Sequence, residues 1–225
     1  MALSINPPLF TLLPGSLVEA VTSAGVEVAF DDGQTIHSKG QDRPGLSIVL
    51  SGRVRFGAFS EEGAFVQTGL LGKGHCFGEV TLFSHKPRAY HADAFGQTRI
   101  LQIGKSKVER LIADHPAIAT ALLATLTSRL YDALDFADDL RSLKLEARVA
   151  KQLWRFAVSD EIGNDVIPIR QNDLAYALGL SRVSIGKALK VLQDLELIEL
   201  GYGAITIVDR ARLEDWIAST DSAAF

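Results

Sequence analysis

The segment QNDLAYALGLSRVSIGKALKVLQDL, residues 171–195, decides the fold of the C-terminal part of the chain. Its apolar residues recur at helical spacing in two short runs, residues 174–178 and 185–192. Gly179 stands where a residue with positive φ ends a helix, and Ser181 stands where a hydroxyl caps the next one. The spacing therefore predicts two short helices joined by a glycine turn.

Two helices around such a turn form the helix-turn-helix pattern, whose second helix enters the major groove of DNA. The guanidinium of Arg182 can bind guanine O6 and N7, whereas Val183 offers only an apolar contact, for instance to a thymine methyl. The residues predicted to contact DNA are Gln171, Ser181, Arg182, Val183, Ser184, Lys187 and Lys190. The alternative is a solvated basic helix on a protein-binding winged helix.

The overall charge does not by itself indicate a nucleic-acid partner. The 225 residues carry 23 Lys+Arg and 27 Asp+Glu, a formal net charge of −4. However, Arg182, Lys187 and Lys190 follow one another on one short helix without an acidic residue between them. Global charge sets solubility and non-specific affinity, so it does not exclude a local DNA-binding face.

Several classes of protein are excluded by simple counts. Cys76 is the only cysteine, which rules out a disulfide framework, a cysteine-ligated iron–sulfur cluster and a cysteine-rich zinc site within one chain. No run approaches about 18 apolar residues, and the first 14 residues lack Lys and Arg, so we expect neither a membrane span nor a signal peptide. Motifs of nucleophilic or nucleotide-hydrolysing enzymes are absent. We therefore expect a cytoplasmic protein that is not an enzyme.

Residues 1–113 are rich in glycine and in short β-like runs. Leu46–Leu50 and Arg53–Phe59 flank Ser51 and Gly52, which predicts a β-hairpin. Further short runs separated by turn signals indicate a small β-barrel or β-roll. Near the C-terminus, residues 197–208 predict a second hairpin, which would form the wing beside the two helices.

A long helix is predicted between these parts, because residues 117–162 contain neither Gly nor Pro. Its predicted seam positions step by three and four residues, as in a coiled coil, and only Arg129 breaks their apolar character: Ala119, Leu122, Leu126, Arg129, Ala133, Phe136, Leu140 and Leu143. Pairing with a second copy is the favoured interpretation, and packing on its own domain is the alternative. The predicted fold class is α+β, with a β-roll domain at 1–113, a dimerisation helix at 114–141 and a winged helix-turn-helix domain at 142–225. A hinge is expected at residues 140–144.

A second constellation, FGEVTLFSHKPRA, occupies residues 77–89. Gly78 allows the backbone to approach a ligand closely, and the Glu79 carboxylate can accept hydrogen bonds from a ribose hydroxyl. Arg88 can bind two phosphate oxygens, and backbone amides at Val80 and Ala89 would add donors to the same anion. The alternative is a surface Glu–Arg ion pair that braces a loop.

In these motifs and their order, the chain resembles the catabolite-activator and fumarate/nitrate-regulator (CRP/FNR) family of bacterial transcription regulators over nearly its whole length. The resemblance implies a phosphate-binding cassette in which Glu79 holds the ribose 2′-hydroxyl and Arg88 holds the cyclic phosphate. Ala89 favours cAMP over cGMP, and Arg129 matches a basic residue near the pocket. Ser181 and Arg182 match the family's DNA-contacting start of the recognition helix, and Lys187 matches a frequent basic position.

Two positions depart from the family pattern. The hydroxyl pair that grips adenine in cAMP-responsive members is replaced by Ala133 and Leu134, and Val183 stands where many members have Glu. Base selectivity and operator sequence are therefore left open by the resemblance.

The predicted function is a ligand-gated, homodimeric, DNA-binding transcription regulator whose effector is a cyclic nucleotide, with cAMP favoured over cGMP. Double-stranded DNA and a second copy are the expected partners, RNA polymerase is a candidate partner, and no membrane or metal is expected. One alternative keeps the fold with another trigger: a metabolite, haem or none. Another is a cyclic-nucleotide-binding regulatory subunit that docks a protein through its winged helix.

Overall fold

The computed structural model describes residues 7–59, 65–159 and 165–221, which form two compact units. The boundary falls between Arg129 and Leu130. The helices are α1 Gly15–Ala24, α2 Glu79–Ser84, α3 Lys105–Asp114, α4 Pro116–Ser142, α5 Leu145–Phe156, α6 Gln171–Ala177, α7 Arg182–Asp194 and α8 Arg210–Asp221, with a 3₁₀ turn at Leu9–Leu12. The strands are β1 Val26–Phe30, β2 Thr35–His37, β3 Gly45–Phe59, β4 Phe65–Leu71, β5 Cys76–Phe77, β6 His91–Gly104, β7 Val158–Ser159, β8 Asp165–Ile167, β9 Ile198–Gly201 and β10 Ala204–Ile207.

The first unit is built on an antiparallel sheet with the strand order β1-β6-β3-β4. Strand β2 also pairs with β6, and β5 pairs with β3. One apolar core beneath the sheet joins Ile48, Leu101 and Ile103 to Ile118 and Leu122 of α4. Because α4 contributes to this core, the beginning of the long helix belongs to the first unit.

The hairpin predicted around Ser51 and Gly52 is wrong. Strand β3 runs without interruption through both residues and pairs with β6 along its length. Gly52 has φ +75°, which produces a register shift where the sequence predicted a chain reversal. A glycine with positive φ fits a bulge and a turn equally well, so local sequence could not distinguish the two.

The second unit confirms the helix-turn-helix and the wing. Helices α6 and α7 are joined through Gly179, which has φ +64°. Strands β9 and β10 form the predicted hairpin, and β10 also pairs with β8. The two inner helix faces share one apolar core, in which Leu174, Ile185 and Leu189 are fully buried. Both tryptophans of the chain, Trp154 and Trp216, pack in or against this core.

Helix α4 is present as predicted, but its apolar residues do not form one exposed seam. Leu122 is buried in the core of the first unit, and Phe136 packs against the core of the second. Large apolar side chains that are exposed on this helix are Leu123, Leu130, Tyr131, Leu134 and Leu140. The exposed stripe is therefore shifted from the predicted one, and several predicted seam positions are used within the chain.

The α+β class is confirmed, with an N-terminal antiparallel sheet, a long helix and a C-terminal helix-turn-helix. The three-way domain division at 113 and 141 stays a prediction. In the described parts of the chain, no single helix has the length and apolar character to cross a membrane. Helices α3 and α4 satisfy that criterion only together, across a bend of 115°.

Candidate functional site

The cassette of the first unit is organised by the backbone at Gly78. This residue links β5 to α2 with φ +98°, a conformation that favours glycine. A Cβ at this position would overlap Nη1 of Arg88 and the carbonyl oxygen of Gly45. The absence of a side chain therefore lets the guanidinium of Arg88 lie directly on the main chain.

Glu79 begins α2 and is 1% exposed. Its Oε1 atom forms an ion pair with Nη1 of Arg129. Its Oε2 atom is buried and accepts no hydrogen bond from the described residues. A buried carboxylate oxygen without a donor is costly, so this atom is suited to accept a hydroxyl from a ligand.

Arg88 is 7% exposed, and its Nη2 atom donates to the carbonyl oxygens of Arg43 at 3.1 Å and Gly45 at 3.4 Å. Its Nε atom is buried and has no acceptor among the described residues. Burial lowers the pKa of Arg88, the positive charge of Arg43 lowers it further, and Glu79 opposes this shift. A ligand anion would supply both the missing acceptor and the missing counter-charge.

Arg129 joins this cluster from α4, although it is 50 residues from Glu79 in sequence. Besides its ion pair with Glu79, it donates from Nη2 to the carbonyl oxygen of Cys76 at 2.6 Å. The structure thus brings Gly78, Glu79, Arg88 and Arg129 together within the first unit. Val80 is 53% exposed, and Ala89 is also exposed beside Arg88.

His37 and Arg43 border the cluster and were not assigned from the sequence. His37 is buried, and its Nε2 lies 3.2 Å from Oγ of Ser47. Burial, with the nearby charges of Arg88 and Arg43, lowers the pKa of His37 to about 4. A neutral imidazole keeps the cluster from gaining a further positive charge. No motif connects β2 to the cassette, so only the strand pairing could have revealed this residue.

Burial also suppresses the reactivity of the single cysteine. The Cys76 thiol is fully buried, and burial raises its pKa to about 12. Because thiolate is the nucleophile and metal ligand, this side chain is unreactive at neutral pH. Among the described residues, no group of three or more His, Cys, Asp and Glu side chains is placed to hold a metal ion.

In the second unit, the predicted DNA-contacting residues lie mostly on the open side of α7. Arg182, Lys187 and Lys190 are exposed, and Val183 is 68% exposed. Ser184 is half-buried in the first turn. A helix whose exposed face carries basic side chains is suited to enter the major groove of DNA.

Three of these side chains have partners that qualify their roles. The Ser181 hydroxyl accepts a hydrogen bond from the Ser184 amide at 3.1 Å, which confirms the predicted cap. Lys190 pairs with Asp194 at 2.8 Å, and both are exposed, so the pair is weak and screened. A Cβ at Gly186 would lie 3.8 Å from Oε1 of Gln171, so Gln171 lies against the recognition helix.

Comparison with known proteins gives a separate family match for each of the two units. A cyclic nucleotide-binding domain model matches residues 27–115, and a Crp-like helix-turn-helix domain model matches residues 147–216. The cyclic AMP receptor protein of Thermus thermophilus is 30% identical over 92% of this chain and 95% of its own. A CRP-like cAMP-activated global transcriptional regulator of Mycobacterium tuberculosis is 28% identical over 91% and 94%.

A solved structure of the same family has a similar fold. The crystal structure of a CRP/FNR-family transcriptional regulator from Thermus thermophilus is 27% identical, covers 87% of this chain and 100% of that chain, and has a TM-score of 0.65. Two of these relatives are named as transcriptional regulators, and none of the three is named as an enzyme. With both domain models in order and similarity along almost the whole length, the chain belongs to the CRP/FNR family of transcription regulators.

Proposed function

We propose that this regulator is a homodimer whose affinity for DNA is gated by a cyclic nucleotide, with cAMP favoured over cGMP. The observation that carries the proposal is a pair of buried polar atoms in the cassette, Oε2 of Glu79 and Nε of Arg88, which have no hydrogen-bond partner among the described residues. One is an acceptor and the other a charged donor. A sugar hydroxyl and a cyclic phosphodiester are the matching groups.

The preference for cAMP rests on two weaker supports. Ala89 offers no hydroxyl, which the family resemblance associates with cAMP rather than cGMP. Two relatives are described as a cAMP-activated regulator and a cyclic AMP receptor protein. Ala133 and Leu134, which replace the adenine-binding hydroxyl pair, cannot hydrogen-bond through their side chains, so we expect weak discrimination between bases.

The exposed stripe of α4 supports the homodimer. Leu123, Leu130 and Leu134 are 63%, 58% and 52% exposed, and they are separated by seven and four residues. This spacing places them on one face of the helix, as at the seam of a coiled coil. The occupant that we propose for this face is the same helix of a second copy.

In the gated dimer, the two α7 helices would enter successive major grooves about 34 Å apart. The nucleotide can favour this arrangement only by binding it more tightly than the alternative one. A cytoplasmic location and contact with RNA polymerase complete the proposal for a bacterial-type regulator.

Calorimetry with cAMP and cGMP tests the effector. We expect both nucleotides to bind, with a modestly higher affinity for cAMP than for cGMP. A folded protein that gives no heat with either nucleotide would remove the effector part of the proposal. The protein would then be interpreted as a DNA-binding regulator that responds to a different effector or to none.

Salt-dependent binding to duplex DNA tests the DNA-binding part separately. Arg182→Ala is expected to weaken specific binding by about 1–3 kcal/mol. Lys187→Ala is expected to reduce the slope of log K against log salt concentration by about one. Arg141→Ala serves as the control, because Arg141 is an exposed cation on α4 outside the helix-turn-helix. Unchanged DNA retention in both test variants would favour the protein-docking alternative.

A further inference from the structure

The loop between β2 and β3, residues 38–44, is hydrogen-bonded to Arg88 at several points. The amide of Gly40 donates to the carbonyl oxygen of Arg88 at 2.8 Å, and the amide of Arg88 donates to the carbonyl oxygen of Gln41 at 3.1 Å. The Nη2 atom of Arg88 donates to the carbonyl oxygen of Arg43 at 3.1 Å. The main chain of this loop therefore lies along Arg88, from its backbone to the end of its side chain.

The end of the loop also meets the beginning of the cassette. A Cβ on Gly78 would overlap both the carbonyl oxygen of Gly45 and Nη1 of Arg88. Gly45 also accepts a hydrogen bond from Nη2 of Arg88 at 3.4 Å. Because Arg43 precedes Gly45 by two residues and its own carbonyl oxygen binds Arg88, the backbone of Arg43 is held at the edge of the cassette.

Arg43 brings a positive charge to this edge that no carboxylate neutralises. Its side chain is exposed, and within the described ranges it forms no ion pair, not even with the adjacent and equally exposed Asp42. Burial is the main cause of the lowered pKa of Arg88 and of His37, and the charge of Arg43 lowers both further. Arg43 and Arg88 therefore repel each other, and an anion bound to both would remove this repulsion.

Lys39 shows that this effect belongs to one position and not to the loop as a whole. It is an exposed cation of the same loop, and its amide donates to Nδ1 of His91 at 3.4 Å. Nevertheless, Lys39 is not among the charges that shift the pKa of Arg88 or His37. The two loop cations thus differ in their relation to the cassette.

The charges around the cassette leave two cations for a ligand. Glu79 and Arg129 form an ion pair, and His37, with a pKa of about 4, is neutral at pH 7. Arg88 and Arg43 remain without a counter-charge among the described residues. A phosphodiester spreads one negative charge over two non-bridging oxygens, and each of these oxygens can accept from one guanidinium.

We propose that Arg43 is a second phosphate-binding residue, which binds the solvent-facing oxygen of the cyclic phosphate while Arg88 binds the buried one. The inference rests on the proposed nucleotide effector and adds a binding residue to its site. Because Arg43 is exposed, its contribution to affinity is screened by salt. The contribution of the buried Arg88 is screened much less.

Arg43→Ala in the full-length chain tests this role, with Lys39→Ala as the matched control from the same loop. In calorimetry with cAMP at low salt, Arg43→Ala should weaken binding by at least about fivefold, and Lys39→Ala should stay within about twofold. Arg43→Lys should fall between Arg43→Ala and the wild type, since it keeps the charge and loses the fork of donors. Equal affinities of Arg43→Ala and wild type would overturn the proposal, and so would an equal loss in Arg43→Ala and Lys39→Ala.

A salt series separates phosphate binding from support of the loop. Between about 50 and about 300 mM salt, the loss of cAMP affinity should be smaller in Arg43→Ala than in the wild type and in Lys39→Ala. A loss in Arg43→Ala that is the same at both salt concentrations would mean that Arg43 only supports the loop, and the proposal would be wrong.

Inorganic phosphate tests the anion site independently of the nucleotide. A wild-type protein that binds neither cAMP nor cGMP would refute the proposed effector, and phosphate would still decide the role of Arg43. Relative to chloride at matched ionic strength, phosphate should raise the Tm of the first unit in the wild type and in Lys39→Ala, and less in Arg43→Ala. No stabilisation of the wild type, or equal stabilisation of all three proteins, would exclude Arg43 as an anion ligand.

Discussion

The two units of this regulator hold their functional charges in opposite ways. In the first unit, Glu79 and Arg88 are 1% and 7% exposed, and each has a buried polar atom without a partner in the described structure. In the second unit, Arg182 and Lys187 stand in solvent on a helix whose opposite face is fully buried. The buried cassette of the first unit therefore lowers the stability of that unit, whereas the proposed DNA-binding face has little effect on the stability of the second.

This contrast fits the different partners that we propose for the two units. A small anion must be surrounded, so the protein has to desolvate its own charges before the ligand arrives. A DNA duplex is large and remains hydrated, so exposed side chains suffice. Substitutions in the two units should accordingly affect stability and binding in different proportions.

The largest expected effect is on the core that supports the recognition helix. Leu189→Ala should destabilise the second unit by about 2–5 kcal/mol, because it leaves a cavity beneath α7. Differential scanning calorimetry should show a lower melting temperature for one transition, with the first unit unaffected. Leu195→Ala is the control, since Leu195 follows the same helix and is 40% exposed. A shift of both transitions by the same amount would mean that the units unfold as one.

The next effect is a pH dependence that belongs to the first unit. His37 has a pKa of about 4 when folded, below its ordinary value of 6.5. As pH falls from 6.5 to 4, the unfolded chain gains a proton that the folded chain does not bind, so stability is lost in this range. The loss should approach about 3 kcal/mol.

His37→Gln should flatten the stability profile between pH 6.5 and 4, measured by urea unfolding at each pH. His115→Gln provides the comparison, because His115 is exposed. If both variants keep the wild-type slope, the acid sensitivity originates elsewhere and the contrast between the units is weaker than the burial of His37 suggests.

Arg88→Leu should weaken cAMP binding by at least about 2 kcal/mol, because charge-assisted hydrogen bonds to the phosphate would be lost. The protein should still fold, because the substitution replaces a buried charge, which is costly to desolvate, with an apolar side chain. Calorimetric titration measures the first effect and thermal melting the second. Arg99→Leu alters an exposed arginine on β6 and should leave affinity unchanged. Retained affinity in Arg88→Leu would exclude this arginine as the phosphate ligand.

The smallest expected effect is at the recognition helix. Val183→Ala should reduce discrimination at one base pair by about 1 kcal/mol or less, because it removes only apolar contact area. Binding to a panel of single-base operator variants would reveal the affected position. A uniform loss across the panel would show that Val183 supports the helix and does not contact a base.

The second unit could be predicted well because its rules are local. Gly179 and Ser181 mark the end of one helix and the start of the next, and the apolar spacing identifies both inner faces. The structure places these residues as expected, with φ +64° at Gly179 and a cap from the Ser181 hydroxyl. Every signal needed for this motif lies within 25 residues.

For the first unit, the sequence predicted the fold class but not the strand pairing. Gly52 was interpreted as a turn because its neighbours alternate like two strands, but pairing with β6, about 40 residues later, keeps β3 continuous. The contact between Arg129 and Glu79 likewise depends on how α4 packs beneath the sheet. For the cassette, the sequence supplied residue types, and the family resemblance supplied their roles. The buried His37 had no sequence signal.

The placement of the two tryptophans gives the molecule a built-in optical asymmetry. Trp154 and Trp216 both belong to the second unit, and Arg210 lies over the Trp154 ring at 4.3 Å from its centroid. Intrinsic tryptophan emission therefore reports on the DNA-binding unit alone. A ligand that bound the cassette without affecting the second unit would leave the tryptophan emission spectrum unchanged. A nucleotide-dependent change in that spectrum would show that the second unit responds to the ligand.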